Sequence, residues 1–166
     1  MKTITFLFLV VLCIPSIAQD QPIEEAYDFW VGEWKAEWGT GDQKGSGTNS
    51  ITKILDGKVI QEDFKILEGA NKGFLGTSIS VYNPRKQSWH QAWADNNGGY
   101  YDFIGEVLPD TKIFKTKPIE KDGQVIIQRM VFYDIKEDSF TWDWEGTKDG
   151  GKTWNLLWRI NYTRIK

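Results

Sequence analysis

SFTWDWEGTKDGGKTWNLLWRINYTR, residues 139 to 164, decides how this chain is read. Its two halves alternate: Phe140, Trp142 and Trp144 lie opposite Thr141 and Asp143, while Trp154, Leu156, Trp158, Ile160 and Tyr162 lie opposite Asn155, Arg159 and Asn161. Successive side chains of a strand point to opposite faces, so each half predicts a strand with one buried and one wet side. Between them TKDGGKTW, Thr147 to Trp154, fits the S/T-x-D-x-G-x-T-W box of sialidase-like propeller blades. A propeller needs several four-stranded blades of roughly 40 or more residues, and this chain has one box and room for about three blades. Asp149-Gly150-Gly151 suits a tight hairpin by itself: glycine accepts positive φ, and the Asp carboxylate accepts hydrogen bonds from its own turn. The stretch predicts a hairpin, not a piece of a glycan-cleaving enzyme.

The same pattern extends outward. In GEWKAEW, Trp34, Ala36 and Trp38 share one face; in SWHQAWAD, Trp89, Gln91 and Trp93 lie opposite His90, Ala92 and Ala94. Turn signals recur at Gly39 to Gly47, Asp56-Gly57, Glu68 to Gly73, Asn83-Pro84, Asn96 to Gly99, Pro109-Asp110 and Asp122-Gly123. Short alternating segments between regular turns indicate an all-β meander. Ten strands are predicted, near 33–40, 46–55, 58–67, 73–82, 88–95, 99–107, 111–117, 124–134, 138–146 and 153–164. Ile23 to Trp30 is the one helical candidate, short enough to be only a plug or lid. Ten antiparallel strands in a small domain must hide their edges, and closure into a single antiparallel β-barrel does that most completely; a flat sandwich is the runner-up.

The chain opens MKTITFLFLVVLCIPSIAQD. A charge at Lys2, an apolar run from Ile4 to Ile14 and small residues ending at Ala18 predict a secretion signal, cleaved after Ala18, and hence a periplasmic or secreted protein. The run is too short to span a membrane, and no membrane insertion is expected after cleavage. Of 166 residues, loss of the first 18 leaves 148 and removes the single cysteine, Cys13. Residues 19–166 are expected to form one domain, which at about 150 residues can bury enough surface to stand without disulfides. With Lys2 gone, the 20 Lys and Arg become 19 against 23 Asp and Glu, with no basic stripe, which argues against nucleic acid as a partner.

YDFWVGEW, Tyr27 to Trp34, has a helical turn followed by Gly-x-Trp at the head of the first strand. It resembles the start of lipocalin-like (calycin) barrels, where the Trp packs over one end and the turn closes it. Together with WHQAWADNNGGY, Trp89 to Tyr100, and DGGKTW, Asp149 to Trp154, it resembles the bacterial family called domain of unknown function 1579. In that family an F-x-F-W-[LIV]-G-x-W start, a W-x-Q-x-W-x-D-x-x-G-G-Y middle and a D-G-G-K-T-W end recur in this order. The resemblance covers Tyr27 to Arg164; it implies a calycin-like barrel and supplies no activity. Nitrobindin-type haem barrels are similar in architecture only. Their iron ligand is a histidine, and His90, the single histidine, lies opposite Trp89 and Trp93 and reads as a surface or rim residue.

Nine Trp, at 30, 34, 38, 89, 93, 142, 144, 154 and 158, load the interior heavily. Such an interior either binds an apolar or ring-bearing ligand or packs as a plug. Strand parity selects Trp34, Trp89, Gln91, Trp93, Tyr101, Arg129, Trp142 and Trp158 as the lining, and a one-residue slip would exchange any strand's list for its opposite face. Arg129 shares its face with Val125, Ile127, Val131 and Tyr133; inside a barrel it would clamp a ligand carboxylate or pair with Glu62 or Asp102.

No thiol, no catalytic triad signature and no His-based metal set is present, so neither enzyme activity nor a cofactor is expected. Spacing does not select Asp102 and Glu106 as a glycosidase pair, and Asp95-Asn96-Asn97-Gly98 reads as a turn rather than a calcium loop. The sequence predicts an exported monomer or weak homo-oligomer that sequesters a small hydrophobic or amphipathic ligand. Its alternative is an envelope interaction module with a filled barrel.

Overall fold

The computed structural model describes residues 22–166; the expected signal segment lies outside them. Eleven strands follow two short 3-10 turns, Ile23–Glu25 and Asp28–Trp30. They are β1 (Gly32–Trp38), β2 (Gly45–Ile54), β3 (Val59–Glu68), β4 (Leu75–Asn83), β5 (Ser88–Asp95), β6 (Tyr100–Val107), β7 (Lys112–Lys115), β8 (Ile119–Lys121), β9 (Gln124–Lys136), β10 (Ser139–Thr147) and β11 (Asn155–Arg164). All the strand pairings are antiparallel and join chain neighbours, except that β7 pairs with β9 past β8 and the last strand meets the first. β11 pairs with β1 and β10 with β9, so ten strands close into a barrel with no free edge.

β8 is the strand the sequence does not announce. It is three exposed residues, Ile119, Glu120 and Lys121, folded back on β9 through the Asp122-Gly123 turn, both of whose residues have positive φ. Three residues cannot show an alternation, so only the turn was visible.

Closure gives the barrel two ends of different character. At one end the N-terminal turns push aromatic side chains inside: Tyr27 stacks on Phe114 with ring centroids 4.4 Å apart and meets Trp89 edge-on at 5.0 Å. Phe29 stands edge-on to Phe132 and Phe140, and Trp30 edge-on to Phe132. The polar tips are anchored: Tyr27 Oη donates to Ile113 O at 2.8 Å, Trp34 Nε1 to Trp30 O at 2.7 Å and Trp89 Nε1 to Ile23 O at 2.8 Å. Arg164 fastens the plug from the last strand, donating to Val31 O at 2.9 Å and Phe29 O at 3.3 Å while its guanidinium lies 4.1 Å from the Trp34 ring centre. The helical turn before Gly-x-Trp therefore closes one end, as the calycin-like reading implies.

Three register shifts interrupt the ladders: between β10 and β11, between β9 and β10, and between β2 and β3, where Leu67 is passed over. Trp144 faces Trp158 across β10 and β11, but Glu145 faces Leu156, so Leu157 is passed over. An extra residue turns everything beyond it to the other face. Leu156 and Trp154, expected to share the inner face with Trp158, Ile160 and Tyr162, thus lie outside, Leu156 exposed and Trp154 beneath Arg129. A second irregularity opens between β9 and β10, where Asp134 takes a φ of 50°.

Candidate functional site: a half-filled aromatic barrel

The other half of the barrel is hollow. A cavity of about 170 Å³ runs from Glu62 on β3 to the rim at Asp95 and Phe74. Its walls are Phe64, Phe74, Trp93, Tyr101, Phe103, Met130, Trp142, Trp144, Trp158, Ile160 and Tyr162. The rings stand edge to face: Trp158 lies 5.8 Å from Trp142 and 5.1 Å from Trp38, and Trp144 lies 5.8 Å from Tyr101. This geometry fixes each ring by its neighbours' quadrupoles and leaves ring faces for a guest. The volume is close to the roughly 150 Å³ of an engineered apolar cavity that takes up benzene, so the space fits a single-ring body.

Of the eight side chains expected to line the interior, the structure brings Trp93, Tyr101, Trp142 and Trp158 to the cavity. Trp34 and Trp89 point inward but belong to the filled end. Gln91 is buried and donates Nε2 to Ser80 Oγ at 2.9 Å. Arg129 is the correction: Met130 and Phe132 take the inward parity of β9, so Arg129 lies on the outer wall. There Nε meets Glu145 Oε2 at 2.7 Å, and the guanidinium lies 3.8 Å from the centre of the Trp154 ring. Neither Glu62 nor Asp102 is its partner. Both parities of β9 are apolar, so alternation could not say which one faced in.

Glu62, expected as one possible interior partner of Arg129, alternates with Ile60, Phe64 and Ile66, a carboxylate in an otherwise apolar row. It is buried at the floor of the cavity. Asn49 Nδ2 donates to its Oε1 at 2.8 Å and Ser78 Oγ to its Oε2 at 2.6 Å, while the Tyr162 hydroxyl sits 3.5 Å from the same Asn49 amide. Burial pushes the Glu62 carboxyl up to about 7, against the downward pull of those two hydrogen bonds, with Asp63 adding a small upward push. Burial, together with the nearby Glu62 charge, also holds the Tyr162 phenol well above its usual range.

Asp95 forms the rim. Burial raises its carboxyl, but the Gly99 and Asn97 amides and the Trp93 indole together hold it below the usual carboxylate range, so it is an anion. The loop that resembled a calcium site is thus a turn capped by its own Asp. At the same end, the Asp149 carboxylate accepts from the Lys152 and Thr153 amides and both Thr hydroxyls, as a hairpin turn requires. Asp102 and Glu106 lie on the outer wall, near Tyr100 and Lys115 respectively. Among the described residues no three His, Cys, Asp or Glu side chains gather as a metal site. No family model and no curated protein matches the chain.

Proposed function

We propose that this protein is an exported, non-catalytic binding barrel that sequesters a small hydrophobic or amphipathic ligand. One observation carries the reading. The barrel has a dedicated plug at one end and, at the other, a cavity walled almost wholly by rings. A barrel of this size could have been filled throughout, as its plugged end is; an apolar cavity with a few fixed polar groups is the usual form of a small-molecule site. The motifs from Tyr27 to Trp34, Trp89 to Tyr100 and Asp149 to Trp154 support placing it with the domain of unknown function 1579 barrels.

Residues 19–166, recovered from the envelope after expression with the leader, would be weighed by native mass spectrometry, then solvent-extracted. A discrete added mass, absent from a Trp158→Leu protein that keeps its near-ultraviolet circular dichroism, is the expected result. A clean unliganded mass, with no tryptophan quenching by single-ring compounds, would leave the interaction-module alternative standing instead.

A further inference from the structure

We propose that the hollow end selects a small organic cation, an ammonium group on an apolar or single-ring body, with Glu62 as its counter-charge. This rests on the binding reading above and adds the ligand's chemical class.

Four observations point the same way. Among the described residues, the two charged side chains that line the cavity, Glu62 at the floor and Asp95 at the rim, are both acids, and no Lys, Arg or His lines it. Arg129, the one candidate clamp for an anionic ligand, stands outside. Among the described residues the buried side-chain atoms without a partner are three acceptors, Asp28 Oδ1, Asn49 Oδ1 and Gln91 Oε1, and one donor, Trp30 Nε1 in the plug; Asn49 is the residue bonded to Glu62, so the unmet capacity beside the floor is for a donor. Finally the wall offers Trp93, Trp142, Trp144 and Trp158, and the indole face is the best aromatic partner for a cation. A carboxylate guest would meet the negative faces of those rings and a buried acid with no compensating positive charge.

The floor also sets the pH response. The groups around the Glu62 carboxyl are Asn49 from β2, Ser78 from β4 and Tyr162 from β11, with Asp63 beside it on β3 facing outward. Tyr162 stays neutral and Asp95 stays ionised through the neutral range, so Glu62 is the group that titrates there. A primary ammonium, with a pKa of about 10, remains charged throughout. Its arrival favours the ionised carboxyl and displaces the proton to solvent.

The test uses three probes sharing one ring and chain length: 3-phenylpropylammonium, 3-phenylpropanol and 3-phenylpropionate, titrated calorimetrically into residues 19–166. At pH 8 the ammonium should bind at least about tenfold tighter than the alcohol and the carboxylate least well. Its affinity should fall about tenfold between pH 8 and pH 6. Titrations at pH 7 in buffers of different ionisation enthalpy should show proton release. Glu62→Gln, nearly isosteric, should bring ammonium and alcohol to parity. The inference is overturned if the alcohol or carboxylate binds as tightly as the ammonium, or if no proton is released on wild-type binding, a readout that does not depend on the variant folding. Binding by none of the three, with a clean unliganded native mass, would overturn the binding reading itself.

Discussion

The indole of Trp93 occupies the space above Gly76 that a side chain there would need: a Cβ on that glycine would clash with Cζ2 and Cη2 of the six-membered ring. The two residues lie on neighbouring strands, β4 and β5, and share the inner face. Gly76 thus lets Trp93 lie against the wall instead of across the cavity. Gly76→Ala should force the indole inward, costing about 1–3 kcal/mol through overpacking. Urea unfolding should show the lost stability, and titration with 3-phenylpropylammonium at least a tenfold loss of affinity. An unchanged affinity would mean that Trp93 has another place to go.

Glu62 should make the protein less stable as pH rises. Its folded carboxyl titrates at about 7, above the ordinary value of 4.5, so between these limits the folded state holds a proton that the unfolded state has released. Stability therefore declines from about pH 4.5 to pH 7 and then levels, a contribution on the order of 3 kcal/mol for a shift of that size. Glu62→Gln should flatten this part of a urea-midpoint profile and be the more stable protein at pH 8. A wild-type profile that rises across the same window would contradict the buried, protonated floor.

The plug should be the costliest part of the barrel to remove. Tyr27→Phe deletes only the hydrogen bond to the Ile113 carbonyl and should cost about 1–2 kcal/mol. Tyr27→Ala also empties the space between Phe114 and Trp89 and should cost about 3–5 kcal/mol. Equal effects in chemical denaturation would show that the ring packs on nothing of consequence.

What the sequence made legible follows from periodicity. Ten strands, their order and the N-terminal closure were readable because alternation and turn residues are local signals. The division of the interior was not. Trp34 and Trp89 share the inward parity of Trp93 and Trp158, but depth along a strand depends on how far the Tyr27 to Trp30 plug reaches, a long-range fact. Arg129 was misplaced because Val131 and Tyr133 on its own face are as apolar as Met130 and Phe132 on the other. Trp154 and Leu156 were misplaced because one passed-over residue, Leu157, leaves no trace in the alternation on either side of it.

Asp149 should govern the last hairpin. Its carboxyl is held far below the usual range by hydrogen bonds from the Thr147 and Thr153 hydroxyls and the Thr153 and Lys152 amides. That support is present above the unfolded carboxyl's pKa and is lost as acid protonates the folded one. Asp149→Ala should lower the melting temperature at pH 7 and speed amide exchange at Lys152 and Thr153, with the difference from wild type shrinking toward strongly acidic pH. Protected amides in the variant would show that Gly150 and Gly151 hold the turn unaided.

Arg129 and Trp158 should separate the outer wall from the inner one. Arg129→Met breaks the ion pair with Glu145 and the stacking on Trp154, both outside the barrel, and should cost about 1 kcal/mol. Because nothing in the cavity touches it, ligand affinity should stay within about twofold, against a loss of tenfold or more for Trp158→Leu, which strips a ring from the cavity wall. Affinity that fell with Arg129→Met but not with Trp158→Leu would place the ligand on the outer face, beside Glu145 and Trp154, and would empty the barrel of its proposed role.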